Sequence, residues 1–294
     1  MASLKEVRNR IRSVQSTQQI TKAMKMVAAA KLRKAQDGII QLRPYAGKLN
    51  EILTNLAGGS DVLAENSFSK NRGTAKVLIV VITSDRGLCG PFNSNVLKNV
   101  SALLLDKYAE QHAAKNVSFL CIGKRGFEFF GKRYNTVIGE YSHILNGLNF
   151  NKAKEAAEYV MAEFEKGTYD VVDIVYNEFK NVATQILCID QLLPIVGNIE
   201  ASGTETKADY IFEPSVEQII NEIVPKSLKI KFYKALLESN ASEQGARMTA
   251  MDKATENAGE LIKDLKITYN RTRQAAITKE ILEIVGGAEA LAAK

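Results

Sequence analysis

The chain has 294 residues, 46% hydrophobic and 24% charged, which suits a folded protein of one or two domains and excludes global disorder. Its longest continuous apolar run, Val77 to Ile82, is far short of the ~20 residues that span a bilayer, so any membrane association must run through a partner. The net charge of +6 is uneven: residues 1–50 hold 11 Lys and Arg against 2 Asp and Glu (+9), residues 51–225 hold 16 against 22 (−6), and residues 226–294 hold 12 against 9 (+3).

A first long helix is predicted from residue 3 to about residue 56, with Leu4, Val7, Ile11 and Val14 in phase and Ala28, Leu32, Ala35, Ile39 and Leu42 resuming the pattern. Between them, Gln15 to Lys22 (QSTQQITK) puts Gln18 and Thr21 at seam positions, while Ile20, Met24 and Val27 mark a shifted stripe. That gap reads as a local break of heptad phase, or alternatively as a place where the pair loosens and a third surface makes contact. Pro44 should kink or end the segment, and Gly58-Gly59-Ser60 closes it.

After a polar stretch, Lys76 to Ile82 (KVLIVVI) is a buried-strand signal of the parallel-sheet kind. The loop Thr83 to Pro91 (TSDRGLCGP) follows at once, then a helix pattern from Phe92 to about His112. Strands are expected at Val117 to Ile122, Asp170 to Phe179 and Thr184 to Pro194, with weak extended structure at Thr136 to Glu140. Arg125 to Gly131 and Lys152 to Lys166 read as helices, and this alternation defines a layered α/β domain. Residues 200–207 read as an exposed turn, and Pro225 separates a short helix from a long one.

That last helix, from Lys226 to about Val285, would be roughly 60 residues and ~90 Å long, against ~80 Å for the first. Its seam positions are Leu237, Ala241, Met248, Met251, Thr255, Ala258, Ile262, Leu265, Tyr269 and Ala276, spaced as a narrow coiled-coil stripe rich in small side chains. Gly245 and Gly259 each cost about 1 kcal/mol relative to Ala, so packing rather than propensity holds the helix. The architecture expected is an antiparallel coiled coil of two terminal helices (residues 1–60 and 215–294) with an inserted Rossmann-like α/β domain (residues 74–214).

The chemistry-bearing residues form no catalytic constellation. The loop SDRGLCG has neither the phosphate-binding G-x-x-x-x-G-K-[ST] pattern nor G-x-G-x-x-G. Cys89 has no triad context among the two histidines, His112 and His143, and reads as a tight-turn residue. Cys89, Cys121 and Cys188 fit neither a disulfide framework nor a zinc site, which points to free thiols in a reducing compartment, and neither a metal nor another cofactor is expected. The basic first helix contains one aromatic residue in 50, Tyr45, so it offers no stacking platform for nucleic acid and better suits an acidic protein partner.

Three stretches carry a resemblance that spans the chain: Ile20 to Lys31 (ITKAMKMVAAAK), Ser84 to Gly90 (SDRGLCG), and Ala246 to Gly286 with ARMTAMDKATENA and NRTRQAAITKEILEIVGG. On these motifs the sequence resembles the gamma subunits of F-type ATP synthases, in its bacterial form. The resemblance implies a central rotor stalk, without an active site of its own, inside a ring of alpha and beta subunits. It would couple ion flow through the membrane c-ring to ATP synthesis or hydrolysis in that ring.

It further implies that Arg86, with Lys31 and Arg33 nearby, meets an acidic segment of a beta subunit, and that Arg273, Gln274 and Thr278 meet a beta loop higher on the shaft. Tyr210 and Glu213 match positions at the foot, near the c-ring, where the epsilon subunit also docks. The chain lacks the cysteine-bearing insertion of the plastid form and begins in the coil without a transit peptide, which favours a bacterial protein on the cytoplasmic face of the inner membrane. A processed mitochondrial chain, on the matrix side, is the other reading. The readings that compete with a rotary stalk are a coiled-coil scaffold and a nucleotide-binding α/β protein.

Overall fold

The computed structural model describes residues 3–57, 66–182, 184–195 and 215–292. Among them run α1 (Leu4–Ala57), β1 (Val77–Ile82), α2 (Phe92–Asp106), α3 (Ala109–Ala113), β2 (Val117–Ile122), α4 (Lys124–Phe130), β3 (Val137–Ile138), α5 (Phe150–Glu165), β4 (Val171–Phe179), β5 (Gln185–Leu193) and α6 (Val216–Ala292). The chain divides into two compact units, residues 1–27 with 248–294, and residues 28–247.

In the larger unit the strands form one sheet in the order β3-β2-β1-β4-β5, parallel except for β5, which runs antiparallel to β4 at an edge. All six residues of β1 are buried because the strand is central and covered on both faces. Successive side chains point to opposite faces. Leu78, Val80 and Ile82 meet α5 and the first part of α6 through Ala153, Ala157, Val160, Val224, Phe232 and Leu236. Val77, Ile79 and Val81 meet α2 through Val96, Val100 and Leu104. The expected Rossmann-like domain is therefore present.

Several boundaries differ from the sequence reading. The helix expected from Phe92 to His112 breaks after Asp106, where Tyr108 turns inward and donates its hydroxyl to buried Asp173 Oδ2 at 2.8 Å, alongside Lys107 Nζ at 2.8 Å. Helix α5 starts two residues before Lys152 because the Asn149 side chain accepts from Lys152 N at 3.0 Å, a cap that contributes about 1 kcal/mol. Neither Pro44 nor Pro225 ends its helix. Ile39 and Leu49 flank Pro44, Ile220, Val224 and Leu228 flank Pro225, and all five are buried, so packing offsets the missing backbone bonds.

From Ala235 to Ser239 and from Ala241 to Arg247, α6 is buried all round rather than along a narrow seam, and Gly38 of α1 lies against Leu237. This stretch includes Glu238, Ser239, Ser242, Glu243, Gln244 and Arg247, a density of buried polar side chains that heptad spacing does not anticipate.

In the smaller unit the start of α1 pairs with the later part of α6. Val7 and Thr21 are buried on one helix and Met251, Ala258 and Ile262 on the other. The gap at Gln15 to Lys22 does not break the phase. Gln18 and Thr21 continue the three-four spacing and face the partner, where Thr255 Oγ1 bonds Thr21 Oγ1 at 2.8 Å and Gln18 Nε2 donates to the Thr255 carbonyl at 3.4 Å. Ile20 and Val27 of the shifted stripe are more than half exposed. Arg8 Nη2 donates to the Tyr269 hydroxyl at 2.8 Å, and Lys25 pairs with Asp252 on the rim.

Candidate functional site

The loop that leaves the central strand β1 is held from three directions. Ser84 is the hub: its backbone N–H donates to Asn93 Oδ1 at 2.9 Å, its hydroxyl donates to the Arg86 carbonyl at 2.7 Å, and the hydroxyl also accepts from Asn93 Nδ2 at 2.7 Å. Asn93 Nδ2 lies 3.3 Å from Cys89 Sγ, and Cys89 is buried with Phe92 and Ala246. Cys89 is thus a structural element of the turn, as expected. The loop then projects Arg86 and Leu88 outward, and Leu88 is 66% exposed with a left-handed backbone at φ 63°. A non-glycine residue in that region costs about 1–2 kcal/mol, which the surrounding bonds must hold.

The third hold comes from α6. Arg247 Nη2 donates to the Arg86 carbonyl at 2.9 Å and approaches the Gly87 carbonyl at 3.4 Å, while its Nη1 donates to Glu243 Oε1 at 2.9 Å. Both side chains of this pair are only 10% exposed. Burial pushes the Glu243 carboxyl up to about 7, against the opposing pull of Arg247; Asp85 adds to the rise and Lys31 opposes it. Lys31 and Arg33 are exposed on α1, and Lys31 shares the electrostatic environment of the loop through Glu243.

The same strand ends bear on nucleotide binding. A phosphate in such a fold sits on free backbone N–H groups at a helix N-terminus. Here the first amides of α4 are taken by the protein: Lys124 N donates to Asp85 Oδ1 at 3.2 Å, Arg125 N to the Ser84 carbonyl at 3.2 Å, and Gly126 N to Thr83 Oγ1 at 2.8 Å. These bonds occupy the first amides of α4.

Arg273, Gln274 and Thr278 lie in the smaller unit, exposed on α6, with the Thr278 hydroxyl bonded to the Gln274 carbonyl of its own helix at 3.0 Å. Tyr210 and Glu213, and the turn at residues 200–207, lie outside the described residues. Sequence reasoning missed Arg247 and Glu243. Their i,i+4 spacing is the only signal, and it reads equally as an exposed helix-surface pair.

Paired terminal helices bracketing a doubly wound domain, with an outward loop fixed from the C-terminal helix, define a coiled-coil subunit with an inserted Rossmann-like domain. The family model described as ATP synthase matches residues 3–291. The chain is 59% identical over 293 residues to the ATP synthase gamma chain of Cytophaga hutchinsonii and 52% identical over 301 residues to that of Chloroherpeton thalassium, covering 99% of both chains in each case. The central stalk and c-ring structure of the Tetrahymena thermophila mitochondrial ATP synthase contains a chain 28% identical, with a TM-score of 0.60, covering 80% of this chain and 99% of its own. A chain of the Euglena gracilis mitochondrial ATP synthase rotor shares the fold at 20% identity and a TM-score of 0.62, covering 93% of this chain and 98% of its own. The chain belongs to the ATP synthase gamma chain family.

Proposed function

We propose that this chain is the central rotor stalk of a bacterial ATP synthase, coupling ion flow through a membrane c-ring to ATP synthesis or hydrolysis in an alpha-beta ring by rotation. The observation that carries this reading is full-length kinship: relatives called ATP synthase gamma chain match at 50% identity or more across 99% of the chain. The chemistry belongs to the ring, and this chain supplies shape and contacts. No helix among the described residues is long and apolar enough to cross a membrane. As a rotor stalk the chain takes a peripheral place on the cytoplasmic face, held through the c-ring.

Residues 1–60 and 215–294 act as the shaft, and residues 74–214 as the domain near its foot. Arg86, with Lys31 and Arg33, meets an acidic segment of a beta subunit; Arg273, Gln274 and Thr278 meet a second beta loop; Tyr210 and Glu213 lie where the c-ring and epsilon subunit dock. Exposed guanidinium groups suit this work, since Arg donates directed, charge-assisted bonds to carboxylates. The exposure of Arg86 at the tip of a fixed loop supports the first of these contacts. The internal capping of α4 argues against a phosphate at that helix end, and the loop before α2 lacks the phosphate-binding glycine patterns.

The test is a disulfide between a cysteine at Arg86→Cys and one placed in the facing acidic segment of beta. ATP turnover should stop on oxidation and return on reduction. Full turnover in the completely cross-linked complex would overturn the rotor assignment of this loop.

A further inference from the structure

We infer that Arg247 is a positioning residue: through the carbonyls of Arg86 and Gly87 it holds the loop of residues 84–90 in the shape that presents Arg86 outward. The inference rests on the reading of Arg86 as a partner contact, and it assigns the means of presentation to a side chain 161 residues away in sequence.

A guanidinium in this place is suited to the task because its donors are fixed in one plane, so a single side chain can serve a carboxylate on its own helix and carbonyls on a neighbouring loop. Arg247 does both: Nη1 and Nη2 lie 2.9 and 2.8 Å from Glu243 Oε1, while Nη2 also reaches the Arg86 carbonyl at 2.9 Å and the Gly87 carbonyl at 3.4 Å. The Arg86 carbonyl accepts a second bond from the Ser84 hydroxyl, which leaves the Arg86 side chain as the free end of a residue whose backbone is pinned. Glu243 in turn accepts from Gln244 Nε2 at 3.3 Å, so the carboxylate that orients Arg247 is itself oriented. Beneath the clasp, Ala246 packs on Cys89 and Phe92, so α6 meets the loop through one polar and one apolar contact side by side.

A lysine here would supply a point charge for Glu243 without the planar fork that spans to the loop. Removing the arginine would leave the Arg86 carbonyl held by the Ser84 hydroxyl alone and loosen the backbone of residues 86 and 87, whose Arg86 carbonyl lies 3.9 Å from the Sγ of Cys89, a residue only 1% exposed. That thiol is a native reporter of the clasp. Cys121, the fifth of the six residues of β2 and fully buried, reports unfolding of the domain instead.

The experiment uses the full-length chain in a Cys188→Ser background, labelled alone with a maleimide and assayed for ATP turnover after assembly. Arg247→Ala should raise the labelling rate of Cys89 at least tenfold with Cys121 still protected, and Arg247→Lys should fall between it and the parent. In turnover, Arg247→Ala should cost as much as Arg86→Ala, and the double variant should be no worse than either, because one residue acts through the other. Unchanged labelling of Cys89 in Arg247→Ala overturns the inference.

If both thiols become reactive, the domain has unfolded around an unpaired Glu243, and Glu243→Leu with Arg247→Met decides, because an apolar pair fills the same space without a stranded charge. Cys89 labelling in that variant sustains the inference, and protection of Cys89 overturns it. Faster Cys89 labelling together with full turnover in Arg86→Ala leaves the clasp standing and removes the partner-contact reading of Arg86.

Discussion

Gly123 stands where the chain passes from β2 into α4 with φ 98°, and a Cβ placed on it would lie 2.1 Å from the Thr83 carbonyl oxygen and 2.7 Å from Thr83 Oγ1. Both obstacles matter, because Thr83 Oγ1 accepts the Gly126 N–H that starts the helix. Gly123→Ala should therefore destabilise by about 3 kcal/mol or more, combining left-handed strain with a backbone clash. In a unit of this size that is a fall of about 6–12 °C in thermal midpoint. Gly87→Ala is the contrast: an added Cβ would meet only the Arg125 guanidinium at 3.4 Å, and its φ is not in the left-handed region. Its midpoint should stay within about 2 °C of the parent, a change near 0.5 kcal/mol. Calorimetry of the two variants checks both, and equal losses would show that the Thr83 contact does not constrain the loop.

Among the elements, the α1–α6 pair is where the sequence was most and least informative. Val7, Leu32, Ala35, Ile39, Met251, Ala258 and Ile262 are buried as their spacing requires, because apolar positions three and four apart can face one partner only. Gln18 and Thr21 were harder to read: a polar side chain at a seam position looks like a lost phase until its partner, Thr255 on the other helix, is in place. A polar layer of this kind weakens the pair slightly while fixing its register. Arg247 and Glu243 were illegible for a related reason, since burial of a charged pair depends on which loop happens to cover it. The loop SDRGLCG itself was legible as a strand-to-helix turn, yet the atoms that hold it come from α6, and local sequence carries no record of that contact.

The close approach of the two helices at Gly259 can be measured. A Cβ there would sit 3.0 Å from Gln18 Nε2, the flexible end of a side chain whose bond to the Thr255 carbonyl is long at 3.4 Å. Gly259→Ala gains up to about 1 kcal/mol of helix propensity and loses about 0.5 kcal/mol of that hydrogen bond. The expected outcome is a small net stabilisation, seen as a raised midpoint in helical circular dichroism. A destabilisation beyond about 1 kcal/mol would mean that the pair cannot separate by even a few tenths of an ångström at this layer.

For the whole molecule, the rotor reading separates residues that hold the chain together from residues that serve the assembly. On that reading we assign Arg273, Gln274 and Thr278 to the second group: all three are exposed, and the Thr278 hydroxyl bond stays within its own helix. Tyr269, one turn earlier, is held chiefly by its hydrogen bond from Arg8, and Arg273 adds only a minor electrostatic pull on it. Replacing all three by Ala should leave the stability of the full-length chain within about 0.5 kcal/mol of the parent, since surface changes away from special features rarely exceed that. In the assembled complex the same change should lower ATP turnover at least tenfold, equivalent to about 1.4 kcal/mol of barrier. Contacts made and broken during rotation act on the barrier rather than on the fold, so the two measurements should diverge. If stability and turnover fall together, these side chains support the helix; if neither falls, the surface they occupy carries no torque and the shaft works through other residues.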